Sequence, residues 1–409
     1  MTPRVSVLIA TYNGEAFLAQ AIDSVLAQRF DEFELVLIDD ASADGTADLI
    51  RQYHDPRIRF ERNATNLGQA ATLNRGLSLC RAPYVARLDQ DDACLPDRLR
   101  RQADALDRDP SLAVVGTWAY YINAAGQRTG VVGMRVDGRG AFVGALLTFA
   151  SPFGHPTVMM RRDVVQATGG YDPSFAPCED YALWCRLAAL GHRAVSLPIP
   201  LTMLRVHDRQ QSRTRAAAQS AQAKRAHRRL IERLVGAGQT QRVSDVLRLD
   251  DTFWALCPSA DDVRRAVDAL DHGLTRVVTT LGLDERDQAA LASRIEWWLA
   301  RGALMGVLQR RAGTWPLYRR ALRGGWRRWR YPGMAVYPLC RVLSPVLRPP
   351  LRAACLRVAS TLGRHRSTWR LRLRGGWSKE PASSVERSAS SSDSTDHGLD
   401  AVRATLNAQ

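Results

Sequence analysis

The chain has 409 residues, 45% of them apolar and 24% charged, with a formal net charge of +16. That apolar share supports a large core and excludes a disordered or fibrous chain, and no run approaches the ~20 apolar residues needed to span a bilayer. The charge is uneven: positions 301–380 hold 19 Lys and Arg against Glu380 alone, an excess of 18, which leaves about −2 on the rest of the chain (16 minus 18).

Val5-Ser6-Val7-Leu8-Ile9-Ala10 is a continuous, β-branched apolar run and predicts a strand covered on both faces. It breaks at the turn cluster Thr11-Tyr12-Asn13-Gly14. Phe17, Ala21, Ile22, Val25 and Leu26 then recur at helical spacing. A second apolar strand, Phe33-Glu34-Leu35-Val36-Leu37-Ile38, runs into Asp39-Asp40, and Asp44 and Thr46 flank Gly45 before a further helix. Strand and helix alternate, which predicts an α/β fold with a mostly parallel sheet flanked by helices. Ligands bind outside the carboxyl ends of such strands. Tyr12, Asp40 and Asp91 all fall at strand ends, so distant segments should converge on one crevice.

The third strand end is the most acidic. Tyr84-Val85-Ala86-Arg87-Leu88 leads into Asp89-Gln90-Asp91-Asp92. Carboxylates this close repel one another unless a cation lies between them. Mg²⁺ or Mn²⁺ suits such oxygen donors and commonly also holds a substrate phosphate; the other reading is an acidic loop that ends a strand in water. Further on, Cys178-Glu179-Asp180 opens a helix with Leu183, Trp184, Leu187 and Leu190 on one face. Carboxylates there either complement the helix dipole or serve acid–base chemistry, since burial beside a second carboxylate raises a pKa toward a useful value. The chain contains no G-x-G-x-x-G after the first strand and no G-x-x-x-x-G-K-[ST], which argues against dinucleotide and P-loop sites.

Taken together, these segments resemble glycosyltransferase family 2, the inverting enzymes of GT-A fold. The matching elements are the first strand through Asn13, Leu37-Ile38-Asp39-Asp40-Ala41-Ser42, Asn66-Leu67-Gly68 with Asn74, Leu88-Asp89-Gln90-Asp91-Asp92, Gly169-Gly170-Tyr171-Asp172, and Glu179-Asp180-Tyr181-Ala182-Leu183-Trp184. The resemblance covers about the first 212 residues. It implies a metal-dependent transfer of a sugar from a nucleotide-sugar, UDP-linked by expectation, to an acceptor hydroxyl in glycan, polysaccharide or glycolipid synthesis. The implied nucleotide-sugar site comprises Ala10, Thr11, Tyr12, Asn13, Glu15, Asp40, Gly68, Asp89, Gln90 and Asp91. Asp89 and Asp91 match the D-x-D element that reaches the ribose and the metal, either Mn²⁺ or Mg²⁺. Asp92 is read as a further donor or metal ligand, or as a cap of the next helix before Pro96. Asp180 is the implied base, with Glu179 orienting the acceptor. His207, in Leu204-Arg205-Val206-His207, matches a Tyr-Arg-x-His element that folds over the donor. It is a third candidate metal ligand, although Leu204 replaces the usual Tyr; the other reading is a surface histidine on a mobile loop. His155 and Trp184 are placed on the acceptor side, with His155 read otherwise as a structural turn residue held between Pro152 and Pro156.

Four segments are expected: a catalytic domain over 1–212, a helical extension over 213–313, a basic Arg/Trp-rich segment over 314–378, and a flexible Ser-rich tail over 379–409. Trp254, Trp297 and Trp298 are read as core of the extension. Arg interleaved with Trp and Leu, as in 314–378, is how an interfacial element meets anionic lipid heads. Met1-Thr2-Pro3-Arg4 leads directly into a strand rather than a secretory leader, and seven cysteines without a C-x-x-C pair fit reduced thiols. The expectation is a cytoplasmic enzyme peripheral on the inner membrane face, with a nucleotide-sugar donor, a glycan or lipid-linked saccharide acceptor, and no nucleic acid. Two other readings stay open: a catalytically silent relative that binds nucleotide-sugar or a partner, and a basic nucleic-acid-binding protein with an α/β head.

Overall fold

The computed structural model describes residues 2–207, 210, 214–249, 251–308, 316–317 and 320. The expected Ser-rich tail, and the basic segment apart from residues 316, 317 and 320, lie outside the described residues. Two compact units are present, 2–255 with 265–295, and 256–264 with the described residues from 296 onward; the first holds every candidate site residue.

The α/β expectation is met. Strands β1 (Val5–Thr11), β2 (Phe33–Asp39) and β3 (Ile58–Arg62) alternate with helices α1 (Leu18–Leu26), α2 (Thr46–Arg51) and α3 (Gln69–Leu79). Then follow β4 (Tyr84–Arg87), the short β5 (Ala93–Cys94), α4 (Arg98–Arg108), β6 (Leu112–Ile122), β7 (Arg128–Val132) and α5 (Arg139–Leu147). Next come β8 (Met159–Arg161), α6 (Arg162–Ala167), α7 (Glu179–Ala189), β9 (Arg193–Arg205) and α8 (Ala216–Val235). Beyond α8 the described chain is helical, including Ala237–Arg248, Ala260–Leu281 and Glu285–Leu308.

The sheet order is β3-β2-β1-β4-β8-β6-β9-β5, with β7 on β6. The half from β3 to β4 is parallel, with β1 in register with β2 from Val5↔Phe33 to Thr11↔Asp39 and with β4 from Val5↔Tyr84 to Leu8↔Arg87. Every residue of β2 and all but Ala10 of β1 is buried, as their continuous apolar runs require. One face of this half packs Val7, Ile9, Leu35 and Leu37 against Leu18, Ile22 and Val25 of α1 and Leu99 and Leu106 of α4. On the other face α3 lies close to β1, and a Cβ added at Gly76 would stand 2.2 Å from a Leu8 methyl carbon.

The second half adds antiparallel pairings: β8 bridges β4 and β6, and β5 pairs with β9. β6 and β9 are parallel, with register shifts around Trp118, opposite the prolines Pro198 and Pro200. Proline lacks an N–H for the ladder, so a bulge at this point is its natural consequence. The β5–β9 pair matters most for the site. Ala93↔Met203 and Cys94↔Thr202 bring the loop carrying Asp89 to Asp92 beside the end of β9.

Candidate active site

Parallel register delivers the ends of β1, β2 and β4 to one edge. There Gln90 ties two of them together: its Oε1 accepts from Thr11 Oγ1 at 2.6 Å and from Tyr12 N at 2.8 Å. Asn13, in the left-handed region (φ 50°), accepts from Ala43 N through Oδ1, and its own N–H donates to Ser42 Oγ. Glu15 accepts from Gly45 N at 3.1 Å. Thr11, Asn13, Glu15 and Gln90 therefore tie the strand ends together, with Ala10 in β1 beside them, while the Tyr12 side chain is 48% exposed at the rim.

Asp40 is buried and largely occupied. Oδ1 accepts from Asn63 Nδ2 (2.7 Å) and Leu67 N (2.8 Å), and Oδ2 from Gly68 N (2.8 Å). These bonds fix the loop before α3, where Gly68 has φ 83°. Three of about four acceptor directions of this carboxylate are taken, which leaves one on Oδ2 for a ligand. Asp39 is buried as well, accepting from Ser42 and standing 3.0 Å from Arg62 Nε.

The three carboxylates after β4 have distinct partners. Asp89 Oδ1 meets Arg87 Nη2 at 2.5 Å. Asp91 Oδ2 meets His207 Nε2 at 2.9 Å, both side chains being under a fifth exposed. Asp92 is buried and its Oδ1 accepts from Arg205 N at 2.8 Å, so it fastens β9 rather than capping α4. Burial raises the pKa of Asp89 and raises that of Asp92 well above the carboxylate range, with Asp91 adding repulsion in both cases. Arg205 reinforces the fastening: it donates to the carbonyls of Asp91, Asn123 and Ala124 and to Gln20 Oε1, and it stacks 4.5 Å over Phe17. Its guanidinium is committed to protein acceptors, and His207, two residues later, is aimed at Asp91.

Glu179 and Asp180 form the first turn of α7. Burial pushes Glu179 up to about 7, aided by the charges of Asp180 and Asp89, and its Oε2 has no hydrogen-bond partner. Asp180 is also raised by burial, against the pull of the Tyr181 N–H that its Oδ1 accepts at 2.7 Å. Arg87 opposes the rise in both. His155 is buried, its Nε2 2.9 Å from Tyr171 Oη, and burial holds it neutral, far below the ordinary imidazole range. Tyr171 is fixed by Asn74, whose amide accepts from Tyr171 N and donates to Tyr171 O. Trp184 is fully buried, edge-on to Phe153 and His155. It packs beneath His155 and offers no stacking face to a sugar, so the expected place of Trp184 on the acceptor side is corrected to a buried support.

Among the described residues, no group of three or more His, Cys, Asp and Glu side chains is arranged to hold a metal ion unaided. Two residues with roles here carried no role in the sequence reading, Arg87 and Asn63. An arginine inside an apolar strand was the available signal for the first.

The model of "Glycosyl transferase family 2" matches residues 6–168. The Bacillus subtilis (strain 168) protein EpsE, named a glycosyltransferase, is 36% identical over 208 residues, which cover 50% of this chain and 73% of EpsE. The chain belongs to glycosyltransferase family 2. Among other relatives, the amylovoran biosynthesis glycosyltransferase AmsE of Erwinia amylovora is 31% identical over 49% of this chain and 75% of AmsE. An Escherichia coli relative, named UDP-Glc:alpha-D-GlcNAc-diphosphoundecaprenol beta-1,3-glucosyltransferase WfaP, is 28% identical over 50% of this chain and 77% of WfaP. The family match takes in β1 to β8 and the strand ends with Asp40, Asp89 and Asp91; Glu179, Asp180, β9 and His207 lie beyond it.

Proposed function

We propose that this glycosyltransferase moves a sugar from a UDP-sugar to a hydroxyl of a glycan or lipid-linked saccharide, with inversion at the anomeric carbon, in the synthesis of a surface polysaccharide or glycolipid. The observation that carries the reading is the facing pair Asp91 and His207 at the strand ends, with Glu179 and Asp180 in the same electrostatic neighbourhood. The names of AmsE and WfaP support the polysaccharide setting, the UDP donor and the lipid-linked acceptor.

Asp91 Oδ2 and His207 Nε2 converge on one point, and a carboxylate oxygen with an imidazole nitrogen is a donor set that fits Mn²⁺, or Mg²⁺ with fewer protein ligands. Asp91 and His207 would hold the ion, with Asp89 nearby as a third protein ligand, and water and donor phosphate would supply the rest. Such an ion, when bound, neutralises charge on the departing diphosphate. Asp40, with its one free acceptor direction, takes an N–H of the base, and Tyr12 lies at the rim beside it. Asp180 removes the proton from the acceptor hydroxyl as that oxygen forms its bond to the anomeric carbon. The bond from that carbon to the diphosphate oxygen breaks on the opposite face, and the nucleoside diphosphate leaves with the bonding pair. Glu179 hydrogen-bonds the acceptor and holds it in line. Most of the acceleration comes from this positioning and from charge stabilisation.

Among the described residues, no helix is long and apolar enough to cross a membrane. Residues 314–378 are read as a peripheral anchor on an anionic, cytoplasmic-face membrane surface; sedimentation with phosphatidylglycerol vesicles, with and without that segment, tests this. The enzymatic reading is tested by incubating the intact protein with UDP-, GDP- and dTDP-sugars and a lipid-linked saccharide. Nucleoside diphosphate release with an inverted glycosidic product supports it. A retained configuration, or no release from any donor, contradicts it.

A further inference from the structure

A cation is built in beneath the donor carboxylates. Arg87 ends β4 and is fully buried. Its neighbours Ala86 and Leu88 enter the apolar core beside Val7 and Ile9, so the pleat sends Arg87 to the opposite face. There Nη2 lies 2.5 Å from Asp89 Oδ1 and Nη1 lies 3.4 Å from Leu8 O, while the buried Nε has no partner.

A guanidinium has five donors, and leaving it short of partners in the interior costs stability. An aliphatic side chain would fill this strand position at less cost, so packing does not explain the arginine. Its surroundings do. The charge of Arg87 acts on Asp89, Asp92, Glu179 and Asp180, which all crowd the crevice. The contact to Asp89 is the specific one. It holds Oδ1, and a 29% exposed side chain leaves Asp89 able to present Oδ2 to a ligand. A lysine would keep the charge but lose the planar link between Nη1 on Leu8 O and Nη2 on Asp89, and with it the fixed direction of that contact.

We propose that Arg87 is a positioning residue for the donor: its guanidinium, directed by Nη1 on Leu8 O, holds Asp89 Oδ1 through Nη2 in the orientation that receives the nucleotide-sugar. This rests on the nucleotide-sugar reading given above. The test is a double-mutant cycle on the intact protein. UDP, and in parallel GDP, is titrated with Mn²⁺ into wild type, Arg87→Lys, Asp89→Asn and the double variant by calorimetry. Each single change weakens nucleotide binding on the order of tenfold, and the double variant binds no more weakly than Asp89→Asn alone. A purely structural arginine would lower the unfolding temperature without producing this non-additivity. Should Arg87→Lys fail to fold, Arg87→Gln, which keeps an amide donor without the charge, takes its place in the same cycle. The proposal is overturned if the two losses multiply to about a hundredfold, or if the folded Arg87 variant binds as wild type does. If wild type binds neither nucleotide, the donor reading itself falls and this inference falls with it; a wild type that binds while the cycle is additive removes only the role of Arg87.

Discussion

His207 Nε2 stands 2.9 Å from Asp91 Oδ2, although 116 positions separate them in the chain. The β5–β9 pairing and the Asp92–Arg205 bond create that meeting, because they lay the end of β9 against the acidic loop. His207→Ala removes the imidazole and its ring contact with Phe17, 5.2 Å between centroids. It should weaken Mn²⁺-dependent UDP binding by about tenfold or more, the loss ordinarily associated with one metal-site partner, in a protein that stays folded with a modestly lower unfolding temperature. Calorimetry with and without Mn²⁺ reads the first, and a thermal melt reads the second.

Asp180→Asn keeps the volume of the base and removes its proton affinity. Sugar transfer should fall by roughly 10² to 10⁴ in kcat, the usual contribution of a general base, while UDP affinity stays within about twofold. Comparable losses in both would assign Asp180 to donor binding instead.

The pKa of Glu179 gives a stability signature. Its folded value of about 7 lies above the ordinary 4.5. A raised carboxylate contributes stability in full below its unfolded pKa, and that contribution is lost as pH rises through the folded value. Wild type should therefore lose about 2–3 kcal/mol from this group between pH 4.5 and pH 8. Glu179→Gln should lack that loss, which urea unfolding at the two pH values would show as a smaller difference. Asp180 is raised too, so transfer should decline on the acid side at a pH above the ordinary aspartate range.

Arg205→Met tests the fastening of the acidic loop. It leaves the carbonyls of Asp91, Asn123 and Ala124 without their donor. The cost should be about 3 kcal/mol in unfolding free energy, as for other broken buried charge networks. Because Arg205 also seats His207, UDP binding with Mn²⁺ should weaken in the folded fraction.

The parallel half of the sheet was legible in the sequence because β1 and β2 are unbroken apolar runs, and their burial on both faces follows from that. The strand ends carried the Asp residues, so Asp40, Asp89 and Asp91 could be named before any coordinates. What local patterning could not show were the partners. That Asp40 is mostly occupied by Asn63, Leu67 and Gly68, or that Asp92 fastens Arg205 across 113 positions, depends on tertiary pairing. The three-residue β8 is too short for periodicity to mark, and it runs antiparallel to both β4 and β6, which it joins. Trp184 was placed on the acceptor side because a helix face alone does not reveal which neighbour covers it; Phe153 and His155 do.

The most direct test of the account is calorimetric binding of UDP to the intact protein and to Asp91→Asn, each with and without Mn²⁺. The account predicts binding that requires the metal in the wild type and is lost in Asp91→Asn, whose fold a thermal melt would show to be intact. UDP binding that is indifferent to Mn²⁺ and to the substitution would contradict it and would remove Asp91 and His207 from the donor site.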